Sequence, residues 1–166
     1  MPGFDNAFAQ TVGNEGGYAN LPNDPGGETM WGITAAVARA NGYQGAMRDM
    51  PIYVAKAIYK ARYWSPLRCD DLNPSVADDL FDIAVNHGVD TAAKCLQSVV
   101  GVKVDGNIGP VTIAAANAKS ADKVVMGLIS LRITRYTLDK NWSAFGKGWA
   151  NRAARMLWLQ SQEAAQ

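Results

Sequence analysis

NEGGYANLPNDPGGETMWGIT, residues 14–34, carries more turn formers than a regular helix tolerates. Residues 18–32 alone hold two prolines, three glycines and three Asn or Asp. Such a run folds back on itself as an irregular β-hairpin. Upstream, Phe4, Ala7, Phe8 and Val12 fall on one helical face and Gly13 supplies a stop, so a short amphipathic helix leads into the excursion.

Downstream the chain reads as helices. Thr34 caps a helix over Ala35–Ala40 that Asn41 and Gly42 end, and Pro51 opens another running to Trp64, before Pro66. Pro74 starts a helix in which Val76, Leu80, Ile83 and Ala84 share a face, and Gly88 ends it. Asp90 or Thr91 is the expected cap of the next helix, to about residue 100. GVKVDGNIGP, residues 101–110, is a turn segment whose last proline suits the first position of a helix. Longer helices are expected over residues 121–139 and 147–160. With no internal repeat and no low-complexity linker, the expectation is one domain over residues 1–166, α+β but mainly α.

Composition narrows the function. A chain of 166 residues with 48% hydrophobic residues can bury a core, and its apolar runs are far shorter than the roughly 20 residues of a membrane span. Net charge +1 argues against a strongly basic nucleic-acid binder. The N-terminal stretch lacks a signal-peptide pattern, so the expectation is synthesis in the cytoplasm. Two cysteines, Cys69 and Cys95, and one histidine, His87, do not make a four-ligand zinc site, and the cysteines are expected to be free thiols. Charge is uneven along the chain. Residues 1–118 carry eight Lys and Arg against twelve Asp and Glu, whereas residues 119–166 carry eight against three. Complementary surfaces inside one fold are the simpler explanation, and a basic tail facing an anionic polymer is the other.

Glu15 stands just past the first helix, where the negative end of the helix dipole disfavours ionisation and raises a carboxyl pKa. A raised pKa is what a general acid needs at neutral pH. Eight residues separate Glu15 from Asp24 and four separate Asp24 from Thr29, all within an excursion that folds back toward Glu15. An acid for the leaving oxygen and a second carboxylate for water are the parts glycoside hydrolysis uses. Glu28 is the alternative second carboxylate. Tyr18, Trp31 and Tyr43 offer faces for sugar rings, and Asn86 an amide for an N-acetyl group, while His87 reads as structural.

Residues 14–34 resemble the catalytic segment of the family 108 glycoside hydrolases, with their Glu-Gly-Gly-Tyr motif, and are similar in Glu, Asp and Thr order to phage-type lysozymes. FDIAVNHG, residues 81–88, and residues 96–117 resemble the C-terminal region of that family, described as peptidoglycan-binding. The resemblance covers about residues 4–160. It implies a lysozyme-like fold, a helical lobe and a small hairpin lobe forming a cleft, with a catalytic part over about residues 1–95 and a peptidoglycan-binding part over about residues 96–166. It implies an N-acetylmuramidase of endolysin type that cuts the β-1,4 bond between N-acetylmuramic acid and N-acetylglucosamine and lyses bacteria. Glu15 would be the acid, Asp24 the carboxylate that activates water, and Thr29 its partner.

Four residues between Asp24 and Thr29 are one fewer than in the phage-type pattern, which keeps Glu28 in play for the second carboxylate. No metal or organic cofactor is implied. The expected partners are peptidoglycan glycan strands, with the basic last helix touching an anionic wall or membrane, and the chain is expected to be a monomer. Action in the periplasm or cell wall would follow holin-type release or another export route. A lytic transglycosylase, or a non-catalytic wall-binding module, are the alternatives.

Overall fold

A computed structural model describes residues 3–13, 17–20 and 27–163. Helix α1 (Phe4–Thr11) leads to strands β1 (Thr29–Met30) and β2 (Ile33–Thr34), then to α2 (Ala35–Ala40) and α3 (Ile52–Tyr59). There follow α4 (Pro74–His87), α5 (Val89–Val100), α6 (Pro110–Asn117), α7 (Ala121–Thr137) and α8 (Trp142–Glu163). The described residues are therefore mainly α with one small antiparallel hairpin, as the turn-rich segment and its helical flanks predict.

The hairpin pairs Thr29 with Thr34 and Met30 with Ile33, leaving Trp31 and Gly32 as a two-residue turn. Both turn residues have positive φ, 55° and 73°, the type I′ geometry that matches strand twist. Gly32 meets this at no steric cost, whereas Trp31 has to be held. Its indole Nε1 donates to the Met50 carbonyl at 2.9 Å, and its own carbonyl accepts from the Tyr59 hydroxyl at 3.1 Å. Ala19 bridges to the outer side of Thr29, so the start of the excursion returns to the hairpin.

Helix starts follow the local signals. The Thr34 hydroxyl accepts from Val37 N, and Pro74 and Pro110 occupy first turns. Two boundaries differ from expectation. Gly88 serves as both the C-cap of α4 and the N-cap of α5, so Asp90 lies inside the first turn, where its charge suits the helix dipole. Helix α8 begins at Trp142, several residues before position 147. Gly146 does not break it, because the Trp142 ring lies over that glycine: a Cβ there would be 2.5 Å from the indole. Beyond α3 the helix widens into a π turn over Lys60–Trp64.

Helix α4 is the centre, packed by α1, α5 and α7, with α8 lying on α7. Its expected apolar face understates its burial: every residue from Val76 to Ala84 is buried, including Asp78, Asp79 and Asp82. Phe4, Phe8, Tyr59, Trp64 and Phe81 meet edge to face or tilted, with Phe8 and Tyr59 5.4 Å apart and Phe4 and Phe81 5.7 Å apart. These rings lock α1 onto α3 and α4, and so fix the helix end from which Val12 and Gly13 lead on. In the turn segment before α6, buried Gln97 accepts from the backbone N–H groups of Asp105 and Gly106 and donates to the Asn107 carbonyl. That segment thus has a complete structural explanation. Cys69 is buried and Cys95 half-buried, both as free thiols.

Candidate functional site

Glu15 and Asp24 lie outside the described residues. Gly13, at the end of α1, stands in the wall of a groove of about 630 Å³ between the end of α1 and α8. Gln10 on α1 and Asn151, Arg152 and Arg155 on α8 supply its polar groups, and Val12, Met156 and Leu159 its apolar ones. Its lining is more polar than apolar, with amide, hydroxyl, guanidinium and carboxylate groups converging on one space, which suits a hydrated, polar ligand better than an apolar one.

Asp82 sits at the base of the groove and is only 2% exposed. One carboxylate oxygen accepts from Arg132 of α7, and the other from Arg152 Nη1 of α8 at 3.0 Å. Arg132 also donates through Nε to the Tyr136 hydroxyl. The acidic first part of the chain thereby meets the basic last part inside the fold. Arg152, on the last helix, belongs to this junction and is still part-exposed. Trp149, on the same helix, stacks on Tyr136 with ring centres 5.3 Å apart.

Asp79 is fully buried beside this network, 3.9 Å from Arg132 Nη1. Burial pushes its pKa up to about 7, and Arg132 opposes the rise. Because the folded value lies above the usual 3.8, the folded state binds the extra proton between about pH 4 and pH 7. Stability from this group is therefore full below about pH 4 and is lost as pH rises through 7. Asp79→Asn removes the dependence, so the variant gains on wild type as pH rises from 4 to 7. Denaturant unfolding across that range is expected to show a relative gain on the order of 2–4 kcal/mol. A difference that stays flat with pH would show that Asp79 does not titrate this way.

On the hairpin side, Thr29 is fixed by its backbone to both Ala19 and Thr34, and its hydroxyl lies 3.5 Å from the Ala19 carbonyl. The Tyr18 hydroxyl donates to Glu28 at 2.6 Å, and the Arg48 guanidinium covers the Tyr18 ring at 4.9 Å. Tyr18 therefore straps the excursion to the hairpin. The fold occupies the Trp31 indole N–H and leaves only its half-buried ring for a ligand. Tyr43 is likewise engaged, donating to the Ala46 carbonyl at 2.9 Å.

Asn86 does not join the α1–α8 groove. It donates to the Asp82 carbonyl at 2.7 Å and lines a separate cavity of about 230 Å³ at the end of α4, beside His87, Tyr136 and Trp149. His87 lies 3.5 Å from the Tyr136 hydroxyl, and burial, then Arg132 and Arg135, lower its pKa. It is a packed structural residue. Among the described residues, no group of three His, Cys, Asp or Glu is placed to hold a metal ion.

Sequence reasoning missed Gln10 and Asn151, and passed over Asp79 and Asp82. The signal for the carboxylates was present, since Asp78, Asp79 and Asp82 interrupt an apolar run that the core demands. No local pattern pairs Gln10 with Asn151, because they come from opposite ends of the chain.

Comparisons with known proteins bear on this arrangement. Residues 8–88 match the family model described as Glycosyl hydrolase 108, and residues 91–154 match one described as Predicted Peptidoglycan domain. The solved structure of Brucella abortus SagA superposes with a TM-score of 0.78 at 36% identity, over 92% of this chain and 90% of that one. No curated protein matches. The boundary between the two family models falls at the junction of α4 and α5, and the α1–α8 groove takes one wall from the first region and the other from α8, of which Gly148, Asn151 and Arg152 fall in the second. On these matches and this fold the chain belongs to glycosyl hydrolase family 108, and it is a glycosidase of peptidoglycan.

Proposed function

We propose that the enzyme is an N-acetylmuramidase that cuts the β-1,4 bond between N-acetylmuramic acid and N-acetylglucosamine. The α1–α8 groove carries this reading, because the last residue described before the Glu-Gly-Gly-Tyr motif lies in its wall. Glu15 follows Gly13 by two peptide bonds. The groove chemistry suits the strand: the amides of Gln10 and Asn151 complement acetamido groups, and the guanidiniums of Arg152 and Arg155 can donate to the amide carbonyl that joins the lactyl group of muramic acid to its peptide stem.

In this reading Glu15 protonates the bridging oxygen as the bond breaks. Asp24 takes a proton from the water that attacks the anomeric carbon, and Thr29 orients that water. Glu28 is already bonded by the Tyr18 hydroxyl, which supports Asp24 over Glu28 as the second carboxylate. Attack opposite the leaving group inverts the anomeric centre and places the two carboxyl groups about 6.5–9.5 Å apart. An α-anomer is the first product expected by this route. Cutting load-bearing strands leads to lysis, in keeping with an endolysin that reaches the wall through a permeabilised membrane.

Digestion of purified peptidoglycan, with mass spectrometry of the fragments before and after borohydride reduction, tests the assignment. Reducing muramic acid ends are expected. Reducing glucosamine ends would move the cleaved bond, and release of nothing would leave only wall binding.

A further inference from the structure

A second groove, of about 700 Å³, runs between α5 and α7 within the peptidoglycan region. Its walls come from one face of each helix. Asp90, Lys94 and Ser98 follow each other at four-residue spacing on α5, and Thr134, Arg135 and Asp139 face them from α7 and the turn after it. Carbohydrate alone explains this lining poorly, because a neutral sugar has no use for two cations and two carboxylates in one groove.

The charges are available. Arg135 is exposed and makes no hydrogen bond or ion pair among the described residues. Asp139 uses one carboxylate oxygen on the backbone N–H of Asn141 at 2.8 Å, so the other can still accept. Lys94 and Asp90 pair with each other at 2.8 Å while exposed, an ion pair that exchanges for a ligand's charges at little cost. Leu138, 81% exposed, stands between Arg135 and Asp139 as an apolar rim.

We infer that the α5–α7 groove binds the zwitterionic peptide stem of peptidoglycan. Arg135 takes the carboxylate and Asp139 the ammonium at the free end of the diamino acid, and Leu138 covers the alkyl chain that leads to it. The inference rests on the peptidoglycan reading and adds the peptide to the glycan as a recognised part of the substrate. Position supports it: Arg135 and Asp139 also line the small cavity at the end of α4, which shares Arg152 with the α1–α8 groove. Neighbouring cavities thus connect the proposed glycan site to the proposed stem site through common walls.

Calorimetry with the soluble tripeptide Ala-γ-Glu-diaminopimelate, and with the same peptide carrying lysine in place of diaminopimelate, provides the direct measurement. The diaminopimelate peptide is expected to bind wild type. Binding should weaken by about tenfold or more in Arg135→Ala, recover in part in Arg135→Lys, and weaken similarly for the lysine peptide, which lacks one carboxylate. Kinetics supply a second readout: Arg135→Ala should raise KM on intact peptidoglycan and leave kcat and the cleavage of stem-stripped strands as in wild type. Absence of tripeptide binding, or equal binding by wild type and Arg135→Ala, would overturn the inference. Failure of the muramidase reading has a different signature, since wild type would then cut neither intact nor stripped strands while still binding the tripeptide.

Discussion

Glu15→Gln lowers the turnover of purified peptidoglycan by more than about 100-fold, within the range that general acid catalysis contributes. Glutamine keeps the size and hydrogen-bonding outline of the side chain but has no proton to give to the leaving oxygen. The loss belongs to kcat, because the groups proposed to bind the strand, Gln10, Asn151, Arg152 and Arg155, are untouched. Thermal stability should stay within a degree or so of wild type, since the ring cluster of Phe4, Phe8 and Phe81 holds α1 independently of Glu15. Asp24→Asn shares the direction of effect. Retained activity in Asp24→Asn together with loss in Glu28→Gln would transfer the second carboxylate role to Glu28.

The largest loss of stability is expected from Arg132→Leu. Arg132 is 2% exposed and faces Asp82 and Asp79, so its removal leaves carboxylates buried without their nearest cation. Breaking a buried pair from one side costs about 3–5 kcal/mol. In a domain of this size that corresponds to a fall in Tm on the order of 10 °C. Arg132→Lys keeps the charge but not the planar fork that reaches Asp82 and Tyr136 together, and so recovers only part of the loss. Thermal denaturation of the two variants measures both effects. A Tm within about 2 °C of wild type for Arg132→Leu would mean that the junction of α4, α7 and α8 rests on its apolar contacts alone.

Local chemistry made most helices legible. Thr34, Pro74 and Pro110 mark starts, and Gly88 marks an end, because caps and fixed φ act within a turn of the residue concerned. The hairpin was legible as an excursion, but its exact turn was not. Trp31 at positive φ is disfavoured locally and is held by Met50 and Tyr59, which are distant in sequence. The start of α8 was hidden for a similar reason: Gly146 reads as a breaker until the Trp142 ring is placed over it.

Of the candidate site, the aromatic residues were visible, but the use the fold makes of their polar atoms was not. Tyr18 spends its hydroxyl on Glu28, and Trp31 spends its N–H on Met50. Asn86 ended in a different cavity from the groove beside Gly13, because helix periodicity gives a residue's face and not what that face meets. The charge imbalance along the chain was informative. It anticipated complementary surfaces, and Asp82 with Arg132 and Arg152 is where they meet.

The proposed function depends on hydrolysis of the glycan strand by water with Glu15 as the acid. Digestion of purified peptidoglycan in heavy-oxygen water tests it most directly. Wild type is expected to give reducing muramic acid ends that carry the heavy oxygen at the anomeric carbon, and Glu15→Gln none. Unlabelled anhydromuramic ends would contradict it, because the attacking oxygen would then be the sugar's own 6-hydroxyl.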